Sequence, residues 1–332
     1  MSRGATVDVH AHVIVPEVTR DVAPGEAWRP RVVWNDGRQI VEIGGRQIIS
    51  AIREFVHIDR ILEAQDAAGV YRVVLCPWAS LLRYDADDDD ALRTCQIYND
   101  ALARLALAHA DRVTALGMVP LQHPDLAARE VEALMRLPGL RGVEVAASVR
   151  GVYLGDDRFR PLWAAAEASG ALIFIHPTTQ GFDHPVFADY YLTNTVGNPM
   201  ETTIAAAHMI MAGVMERHPR LKVLLAHAGG AILALRGRLE HAHGFHPQAR
   251  ARLKEPVDAS LRRFYFDTVT HDANLLRDLI RFAGADHVLA GSDYPFDMGV
   301  ERPGDPVRAV GLRASDEANI LGGNARTLGL VS

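Results

Sequence analysis

Two histidines near the amino terminus have a spacing that suits a metal ion. They belong to the segment Asp8-Val-His-Ala-His12, which predicts a β-strand. Residues two apart on a strand point to the same face, so His10 and His12 project together. A His-x-His pair is weak evidence by itself, because histidines also occur in protein cores, and its weight depends on finding further ligands along the chain.

Three further segments place a histidine or an aspartate at the end of a predicted strand, just before turn-forming residues. They are Ile175-His176-Pro177, Ala226-His227-Ala-Gly-Gly230 and Gly291-Ser-Asp293-Tyr-Pro295. Buried ionisable side chains are costly unless they are paired or bound to a metal, so packing does not account for the whole set. Neutral imidazoles together with one carboxylate suit a catalytic divalent ion, Zn²⁺ first, with an open position for water.

The elements that would position these residues alternate regularly. Short apolar runs are separated by segments with helical spacing, which is typical of a parallel sheet covered by helices. Eight such units favour an α/β fold of the (β/α)8 barrel type, which we expect to form one domain over residues 1–332. No Gly-x-Gly-x-x-Gly follows the first strand, which weighs against a dinucleotide-binding fold. The predicted strands are 6–13, 71–78, 113–121, 142–147, 171–176, 222–228, 264–270 and 287–293.

Two segments depart from this rhythm and are predicted to lie at the mouth of the barrel. Residues 14–57 follow the first strand and contain two extended runs around Asn35-Asp36-Gly37, a strong hairpin signal. We expect this insertion to fold over the top of the barrel. Residues 178–198 form an enlarged loop after the fifth strand, and its aromatic side chains either line a pocket or pack the loop onto the barrel. These aromatic residues are Phe182, Phe187, Tyr190 and Tyr191.

Other polar clusters have simpler interpretations. The four aspartates at 87–90 precede a predicted helix, where aspartates cap free N–H groups, and this is favoured over a metal site. Cys76 and Cys95 form neither a disulfide framework nor a Cys-x-x-Cys motif, so we predict inert packing residues. Three histidines after the sixth strand are predicted to lie at the surface or at an interface. They are His241, His243 and His246.

Composition bounds the remaining possibilities. The net charge of -6 argues against broad binding of nucleic acid, which rests on clustered positive charge. The most apolar stretch, residues 204–215, is interrupted by His208 and is shorter than the about 20 residues that span a bilayer. The amino terminus shows no charged leader followed by an apolar run. We therefore predict a cytoplasmic protein with neither a membrane nor a nucleic-acid partner.

The strand-end residues resemble the amidohydrolase superfamily, in which strands one, five, six and eight of the barrel carry His-x-His, His, His and Asp. Binuclear members use a lysine on strand four, carboxylated to bridge two metals. Strand four of this chain is Gly142-Val-Glu-Val-Ala-Ala147, and the lysines Lys222 and Lys254 lie elsewhere. The resemblance therefore implies one metal. Glu144 is either a substitute bridging ligand or part of a hydrogen-bonded network in the core.

Within the superfamily the chain resembles the branch of α-amino-β-carboxymuconate-ε-semialdehyde decarboxylase from the first strand to the carboxyl terminus. The resemblance implies that His227 is the acid/base, and that Arg238 reaches the substrate carboxylate of a neighbouring subunit in a homodimer. It implies four metal ligands, which are His10, His12, His176 and Asp293. The motifs that carry the likeness are Asp8-Val-His-Ala-His12, Asp66-Ala-Ala-Gly-Val70, Val119-Pro-Leu-Gln122, Pro199-Met-Glu-Thr-Thr203, His227-Ala-Gly-Gly230 and Gly291-Ser-Asp-Tyr-Pro-Phe296.

Two departures from the family pattern leave the substrate open. The family enzyme follows its strand-five His-Pro with a tryptophan and an aspartate, whereas Thr178 and Thr179 stand there in this chain. Its second carboxylate-binding arginine, in the insertion after strand one, has no clear counterpart, although Arg46 and Arg53 are near enough to serve. Thr178 and these two arginines are therefore candidates for binding the substrate.

Three more polar residues near the strand ends have roles that the sequence leaves open. Asp267 on strand seven and His271 at its end either touch the substrate or bond to neighbouring loops. Asp8 is expected to support the site by orienting a ligand histidine. His271 is the one of the three that we count among the substrate-binding candidates.

These features predict a mononuclear metal-dependent decarboxylase that acts on a small unsaturated or aromatic carboxylic acid. A bound Zn²⁺, with Mn²⁺ as the alternative, lowers the pKa of water to about 7. His227 and Asp293 are the predicted catalytic residues that exchange protons with the substrate. The same ligands also suit hydrolysis of an amide, lactone or imine. A barrel that binds a ligand without turnover is the remaining alternative, and intact ligands on four strands disfavour it.

Overall fold

The structure is a computed structural model that describes residues 6–331 apart from 24, 27, 36–37, 44–45, 51–55 and 179–184. Its largest sheet has eight strands in chain order, and each neighbouring pair is parallel. Parallel strands in this order are the product of successive βα units. Numbered along the whole chain, these strands are β1 (Thr6–Val13), β5 (Val70–Pro77), β6 (Val113–Gly117), β7 (Leu140–Ala146), β10 (Leu172–His176), β11 (Lys222–Leu225), β12 (Tyr265–Asp267) and β13 (Val288–Leu289).

Backbone hydrogen bonds between β1 and the segment after β13 close the sheet into a barrel. The N–H of Val9 donates to the carbonyl of Ala290 at 3.0 Å, and the N–H of His12 donates to the carbonyl of Tyr294 at 2.8 Å. The first strand thus lies between β5 and the chain that follows the last strand. The predicted (β/α)8 barrel is confirmed.

The helices connect the strands and cover the outside of the barrel. The side chain of Asp87 accepts the N–H of Asp90 at 2.9 Å, so the run of aspartates caps a helix as predicted. The longer helices are α2 (Ile58–Ala67), α3 (Asp88–Ala108), α4 (Pro124–Leu134), α5 (Arg160–Ser169), α6 (Asn198–Met211), α8 (Ile232–Phe245) and α10 (Ala273–Ala283). The short ones are α1 (Pro16–Thr19), α7 (Val214–Arg217), α9 (Val257–Leu261), α11 (Gly304–Ala309), α12 (Ala314–Ala318) and α13 (Asn324–Thr327).

Residues 14–57 contain three antiparallel strands where the sequence indicated two extended runs. They are β2 (Arg31–Asn35), β3 (Arg38–Ile43) and β4 (Arg46–Ser50), and the predicted turn residues 36–37 lie outside the described part of the chain. The third strand escaped prediction because its apolar residues are adjacent rather than alternating. Val41 and Ile43 are buried in the same cluster as Val15 and Trp78, which follow β1 and β5. Two side chains of this sheet therefore belong to the main apolar core, and its position over the top of the barrel stays a prediction. A two-stranded hairpin, β8 (Ser148–Val149) and β9 (Val152–Tyr153), follows β7.

Six barrel strands end earlier than predicted, and four of them (β6, β11, β12 and β13) do so by three or four residues. β11 ends at Leu225 and β13 at Leu289, whereas the apolar pattern continued to residues 228 and 293. The reason lies in the backbone, since His227 and Asp293 have φ values of 54° and 60°. Few residues other than glycine adopt this left-handed conformation, and it interrupts strand pairing. Both side chains therefore project from sharp turns rather than from strands.

The interior of the barrel has an apolar floor beneath the polar strand ends. The ring of Phe174 contacts the ring of His10 edge to face, with centroids 4.8 Å apart. The polar residues at the mouth therefore sit directly on a dry layer, which strengthens electrostatic interactions among them. The floor is built mainly from Val9, Val74, Leu116, Phe174 and Leu224.

Several smaller predictions can be compared with the structure. Cys76 and Cys95 are buried and free, and burial raises the pKa of both thiols, as expected for unreactive packing residues. His241 and His246 are exposed, while His243 donates to the carbonyl of Leu253 at 3.0 Å. Within the described ranges, no helix is both long enough and apolar enough for a membrane span.

Candidate metal centre

Five side chains meet at the carboxyl-terminal end of the barrel. β1 supplies two histidines, β10 ends in a third, and the turns after β11 and β13 supply a fourth histidine and an aspartate. Four of the five are buried and the fourth histidine is partly exposed. The fold thus brings the predicted ligands and the predicted acid/base to one place: His10, His12, His176, His227 and Asp293.

The donor atoms of these side chains point to a common centre. Oδ1 of Asp293 lies 3.1 Å from Nε2 of His10 and 3.3 Å from Nε2 of His12. Nε2 of His176 is 3.8 Å from the same oxygen, and Nε2 of His227 is 3.2 Å from the other carboxylate oxygen. Single donor atoms of His10, His176, His227 and Asp293 all lie within 4.8 Å of one another.

Unpaired atoms at this centre match a divalent cation. Nε2 of His176 and Oδ1 of Asp293 are buried, and neither makes a hydrogen bond of good geometry within the part of the chain that the structure describes. An unsatisfied buried polar atom costs about 1–3 kcal/mol, so both atoms would gain from a shared ligand. Imidazole nitrogen and carboxylate oxygen are donors that Zn²⁺ and Mn²⁺ accept in proteins. The residues present therefore fit one divalent ion.

The protonation behaviour of the cluster points the same way. Burial disfavours a charged His10, but the carboxylates of Asp293 and Asp267 outweigh burial and raise the pKa of His10 to about 10. Burial lowers the pKa of His176 to about 3, leaving a neutral imidazole. Burial by itself would raise the pKa of Asp293, but His10 and its neighbours hold that pKa well below its usual range. The centre thus favours an ionised carboxylate beside a positive charge.

Three of the four histidines have their outer ring nitrogen fixed. Nδ1 of His10 lies 2.7 Å from a carboxylate oxygen of Asp267, while Nδ1 of His12 and Nδ1 of His176 each lie 2.8 Å from a backbone carbonyl. A carbonyl oxygen only accepts, so neutral His12 and His176 carry the proton on Nδ1 and present the lone pair of Nε2 to the centre, and His10 would do the same once a metal replaces the proton on its Nε2. This arrangement of outer partners is the one that metal-binding histidines use.

His227 differs from the other three histidines. Its Nδ1 is buried without a hydrogen-bond partner, and its Nε2 faces Oδ2 of Asp293. An ionised carboxylate only accepts, so the proton of a neutral His227 lies on Nε2 toward Asp293, and Nδ1 has no partner among the described residues. Its backbone N–H donates to Asp267 at 2.9 Å, which holds the left-handed turn in place. The ring is positioned through its backbone, and its Nε2 faces the carboxylate of Asp293 instead of a distant outer partner.

Asp267 bonds to neighbouring chain segments, which was one of the two roles the sequence allowed. The carboxylate is fully buried and accepts the Nδ1–H of His10. It also accepts the backbone N–H groups of His227, Ala228 and Val269 at 2.9, 2.7 and 3.1 Å. Burial would raise its pKa, but the hydrogen bond and charge of His10 lower it below the ordinary value. One carboxylate thus fixes both a ligand ring and the turn of the predicted acid/base.

Asp8 supports the site through the backbone rather than through a ligand ring. Its carboxylate accepts the N–H of His10 at 3.0 Å, the N–H and hydroxyl of Ser292, and the side-chain amide of Gln65. The pairing of β1 with β5 is irregular between Asp8 and Ala11, so Asp8 faces α2 while His10 faces the barrel. Burial raises the pKa of Asp8 to about 6. Asp8 therefore supports a predicted ligand histidine through an N–H, as expected, and the N–H is that of the His10 backbone.

Glu144 lies beside the site but on the outer side of a ligand histidine. One carboxylate oxygen is 3.7 Å from Nδ1 of His12, and neither oxygen has a hydrogen bond. The side chain is fully buried, and burial raises its pKa well above the ordinary value. Glu144 therefore faces the core as expected, but it belongs to no hydrogen-bonded network. Its oxygens are also on the side of His12 opposite to Nε2, which does not favour a bridging ligand.

A cavity of about 200 Å³ opens over His227 and Asp293. His271 is exposed at its rim and donates from Nε2 to the carbonyl of Met298 at 2.9 Å. The wall is mostly uncharged, with amide, hydroxyl and apolar groups. Besides His227 and Asp293, the described residues that line it are Asn194, Thr195, Asn198, Pro199, Gly230, Val269, Thr270, His271, Leu275 and Met298.

Of the remaining substrate-binding candidates, the structure describes the side chains of Thr178 and Arg238. Thr178 is partly exposed, and its backbone N–H donates to Glu201 at 2.8 Å. Arg238 is exposed on α8 and makes no ion pair with any described residue. Arg46 lies in β4, and only its backbone is described. Arg53 and Thr179 lie outside the described residues.

The aromatic residues of the loop after β10 fit neither predicted role fully. Tyr190 is 90% exposed, so it does not pack the loop down, and it is not among the cavity-lining residues described. Tyr191 is half exposed and donates its hydroxyl to Asp297 at 2.9 Å, which joins this loop to the one after β13. Phe187 is partly exposed, and Phe182 lies outside the described residues.

Comparison with known proteins assigns the family. The amidohydrolase family profile matches residues 7–328. The 2-amino-3-carboxymuconate-6-semialdehyde decarboxylase of Dictyostelium discoideum is 33% identical over 246 residues, which cover 73% of this chain and 68% of that protein. The chain therefore belongs to the amidohydrolase family. Within the family it lies in the decarboxylase branch, as its motifs predicted.

Solved structures with the same fold agree with this assignment. The crystal structure of 5-carboxyvanillate decarboxylase from Sphingomonas paucimobilis has a TM-score of 0.84 and 25% identity, and the match covers 99% of both chains. A dihydroxybenzoic acid decarboxylase from Polaromonas, solved with bound manganese, has a TM-score of 0.79 and 22% identity over 98% of this chain and 96% of that chain. The second likeness concerns the fold alone.

Proposed function

We propose that this protein is a metal-dependent carboxy-lyase that releases carbon dioxide from a small aromatic or unsaturated carboxylic acid. The proposal rests on one observation: Asp293 meets four histidines at the end of the barrel, where a cavity opens over Asp293 and His227. The chain also belongs to the decarboxylase branch of its family. The cavity volume of about 200 Å³ lies below the about 300–1,000 Å³ usual for ligand pockets. It therefore suits an acid with one ring or a short chain.

The metal would be held by the four residues whose roles the family resemblance implies: His10, His12, His176 and Asp293. A divalent ion bound there supplies positive charge that orients a substrate carboxylate and stabilises charge developing on it. The fixed Nδ1 atoms of the three histidines support this choice of ligands, because they hold Nε2 ready to bind. Three imidazoles favour Zn²⁺, and the manganese in the Polaromonas enzyme makes Mn²⁺ the second candidate.

The proton chemistry would belong to His227 and Asp293. In a decarboxylation the carbon that carries the carboxylate takes up a proton, and the electrons of the breaking carbon–carbon bond stay with the product as carbon dioxide leaves. His227 would donate that proton, because it is the histidine whose Nδ1 has no acceptor and whose ring reaches the cavity. Asp293 would relay protons through Oδ2, which lies 3.2 Å from Nε2 of His227.

We expect the substrate carboxylate to contact a basic side chain in addition to the metal, and the described cavity wall does not contain one. The lining residues in the described ranges include histidines but no lysine or arginine. We propose that Arg238 of a second subunit supplies this charge in a homodimer, since the side chain is exposed and has no ion pair in the described part of its own chain. Arg46 or Arg53 of the insertion would provide a second contact, with Thr178 and His271 completing the substrate site.

A mixed dimer tests the contribution of Arg238. Arg238→Gln and His227→Asn are each expected to be inactive, whereas a mixture of the two proteins is expected to regain activity. In the mixed dimer, the subunit with an intact His227 receives Arg238 from its partner. Activity measured against the mixing ratio, after denaturation and refolding together, checks this expectation. An inactive mixture that contains mixed dimers by native mass spectrometry would show that Arg238 acts within its own subunit.

A substrate panel tests the proposed reaction. The chelator-treated protein would be reloaded with Zn²⁺ or with Mn²⁺ and offered 2,6-dihydroxybenzoate, 5-carboxyvanillate and 2-amino-3-carboxymuconate semialdehyde. We expect carbon dioxide release from at least one acid, with one deuterium entering the product in D2O. Formation of ammonia or of a ring-opened acid without release of carbon dioxide would contradict decarboxylation and show that the protein is a hydrolase. A stoichiometric metal without turnover of any of these acids, or of amide and lactone analogues, would favour a binding protein.

A further inference from the structure

A buried carboxylate stands at the beginning of α6, next to the metal centre. Glu201 is fully buried, and its Oε2 accepts the backbone N–H of Thr178 at 2.8 Å. Its Oε1 accepts the hydroxyl of Ser148 at 3.3 Å. Burying a carboxylate costs free energy that only good hydrogen bonds offset, so its position needs an explanation. Glu201 belongs to the motif Pro199-Met-Glu-Thr-Thr203, to which the sequence assigned no role.

The peptide group that Glu201 binds also binds a predicted metal ligand. Nδ1–H of His176 donates to the carbonyl oxygen of Pro177 at 2.8 Å. That carbonyl and the N–H of Thr178 are the two ends of a single peptide unit. A peptide unit is planar and rigid, and in the trans form its C=O and N–H point in opposite directions. Glu201 and His176 therefore hold opposite ends of one rigid group.

We propose that Glu201 is a positioning residue that acts through the peptide between Pro177 and Thr178 on the metal ligand His176. This inference rests on the proposed metal site. The carboxylate fixes the plane of the peptide, so the Pro177 carbonyl stays aimed at Nδ1 of His176. It also polarises the peptide, because hydrogen bonds in series strengthen one another and charged acceptors give the stronger bonds. Both effects keep the proton on Nδ1 and the lone pair on Nε2.

The relay has a direct counterpart at the other end of the site. The carboxylate of Asp267 contacts Nδ1 of His10 without an intermediate. Carboxylates that hydrogen-bond to metal-binding histidines orient the ring and raise its basicity. Glu201 is the same kind of partner for His176, but it acts indirectly, because a peptide group lies between its carboxylate and the imidazole. The structure thus gives two of the histidines a carboxylate partner on the side away from the centre.

Helix α6 also provides a matched control. The hydroxyl of Thr203 accepts the N–H of Ala231 at 2.8 Å, which is a bond from the same helix to the chain that follows His227. Thr203→Val removes this bond and the bond from the Thr203 hydroxyl to the carbonyl of Pro199 at 2.7 Å, both of similar length, without touching the peptide beside His176. Loss of metal affinity in Glu201 variants but not in Thr203→Val would therefore separate the relay from a general loosening of α6.

Four variants and two measurements test the relay. The Zn²⁺ dissociation constant is measured by competition with a chromogenic chelator. The tautomer of His176 is measured by the ¹⁵N chemical shifts of its ring in the metal-free protein. Glu201→Ala is expected to weaken Zn²⁺ binding by about 10- to 100-fold and to raise the fraction of the Nε2–H tautomer. Glu201→Gln is expected to stay within about threefold of the wild type, because its amide oxygen still accepts the Thr178 N–H. Thr203→Val is expected to keep the wild-type dissociation constant.

Glu201→Asp covers the case in which the alanine variant does not fold. Its carboxylate is withdrawn by one carbon–carbon bond of about 1.5 Å, so it keeps the charge but loses the Thr178 N–H. A folded Glu201→Ala or Glu201→Asp variant with wild-type affinity and tautomer would overturn the proposal, as would an equal loss in Thr203→Val. A wild-type protein that binds no divalent ion at all would instead contradict the metal site on which the proposal rests.

Discussion

Replacing His227 with asparagine is expected to lower the turnover number by about 10²- to 10⁴-fold while the bound metal remains. The reason is that His227 borders the cavity and its Nε2 faces Asp293, so the ring can pass a proton between the substrate and that carboxylate. Asparagine preserves the backbone N–H bond to Asp267 and tolerates a left-handed φ better than most residues. The turn should therefore survive the substitution, and only the titratable ring is removed.

The measurement pairs steady-state kinetics with the metal content of the purified protein. His271→Asn is the matched control, because His271 borders the same cavity but already donates to the carbonyl of Met298. We expect that control to change KM more than the turnover number. The donor atoms of His227 are close enough to those of His10, His176 and Asp293 for it to bind the ion as well. If His227→Asn loses metal in proportion to activity, His227 is a ligand and the assigned role is wrong.

Replacing Asp267 with asparagine is expected to weaken metal binding by about 10- to 100-fold and to reduce activity at limiting metal by the same factor. Asp267 accepts four hydrogen bonds, from the ring of His10 and from the backbone N–H groups of His227, Ala228 and Val269. Asparagine is isosteric, but its amide nitrogen donates and cannot accept. The N–H groups that face the new amide nitrogen then lose their acceptor, or His10 must move its proton to Nε2, where a metal would bind.

The stability of this variant should also change on the acid side. The pKa of Asp267 is below its ordinary value in the folded protein, although burial opposes this, because His10 stabilises the carboxylate. A lowered pKa gives stability that is present above the ordinary aspartate range and is lost as the pH falls through the folded-state pKa. We expect Asp267→Asn to be less stable near neutral pH and to lose less additional stability on acidification.

Asp272→Asn is the control for Asp267→Asn. Asp272 caps α10 by accepting the N–H groups of Asn274 and Leu275, both at 2.7 Å, and asparagine is an equally good cap. It should leave the Zn²⁺ dissociation constant and the acid unfolding curve unchanged. Wild-type metal affinity in a folded Asp267→Asn variant would show that the contact with His10 does not tune the ligand.

The positions of the metal-site residues could be predicted from the sequence because they follow local rules. His10 and His12 share a face because the side-chain period of a strand is two. His176 ends an apolar run, and the carboxyl ends of parallel strands meet at one end of a barrel. The type of fold was equally local in origin, since it rests on alternating apolar runs and helical segments. The likeness of the motifs to a known family then implied which histidine differs from the others.

The exact ends of the strands could not be predicted in this way. The apolar pattern continued beyond β11 and β13, but the backbone at His227 and Asp293 turns left-handed. Such a conformation is costly for residues other than glycine and persists only where the surroundings enforce it. For His227 the enforcing bonds come from Asp267, 40 residues further along the chain. A pattern that reads neighbours in sequence does not contain that partner.

What the sequence by itself determined is the set of side chains that meet at the candidate metal centre and the barrel that carries them, because strand periodicity and strand direction place those side chains at one end of the barrel. The tertiary structure alone decided how those side chains are held. Asp267 is 257 residues from His10, and Glu201 reaches His176 only through a peptide 23 residues before it. The structure likewise shows that Asp8 accepts the backbone N–H of His10, and that Glu144 makes no hydrogen bond with the described residues. Hydrogen-bond partners depend on distance and direction in space, and these are fixed only when the strands close into the barrel.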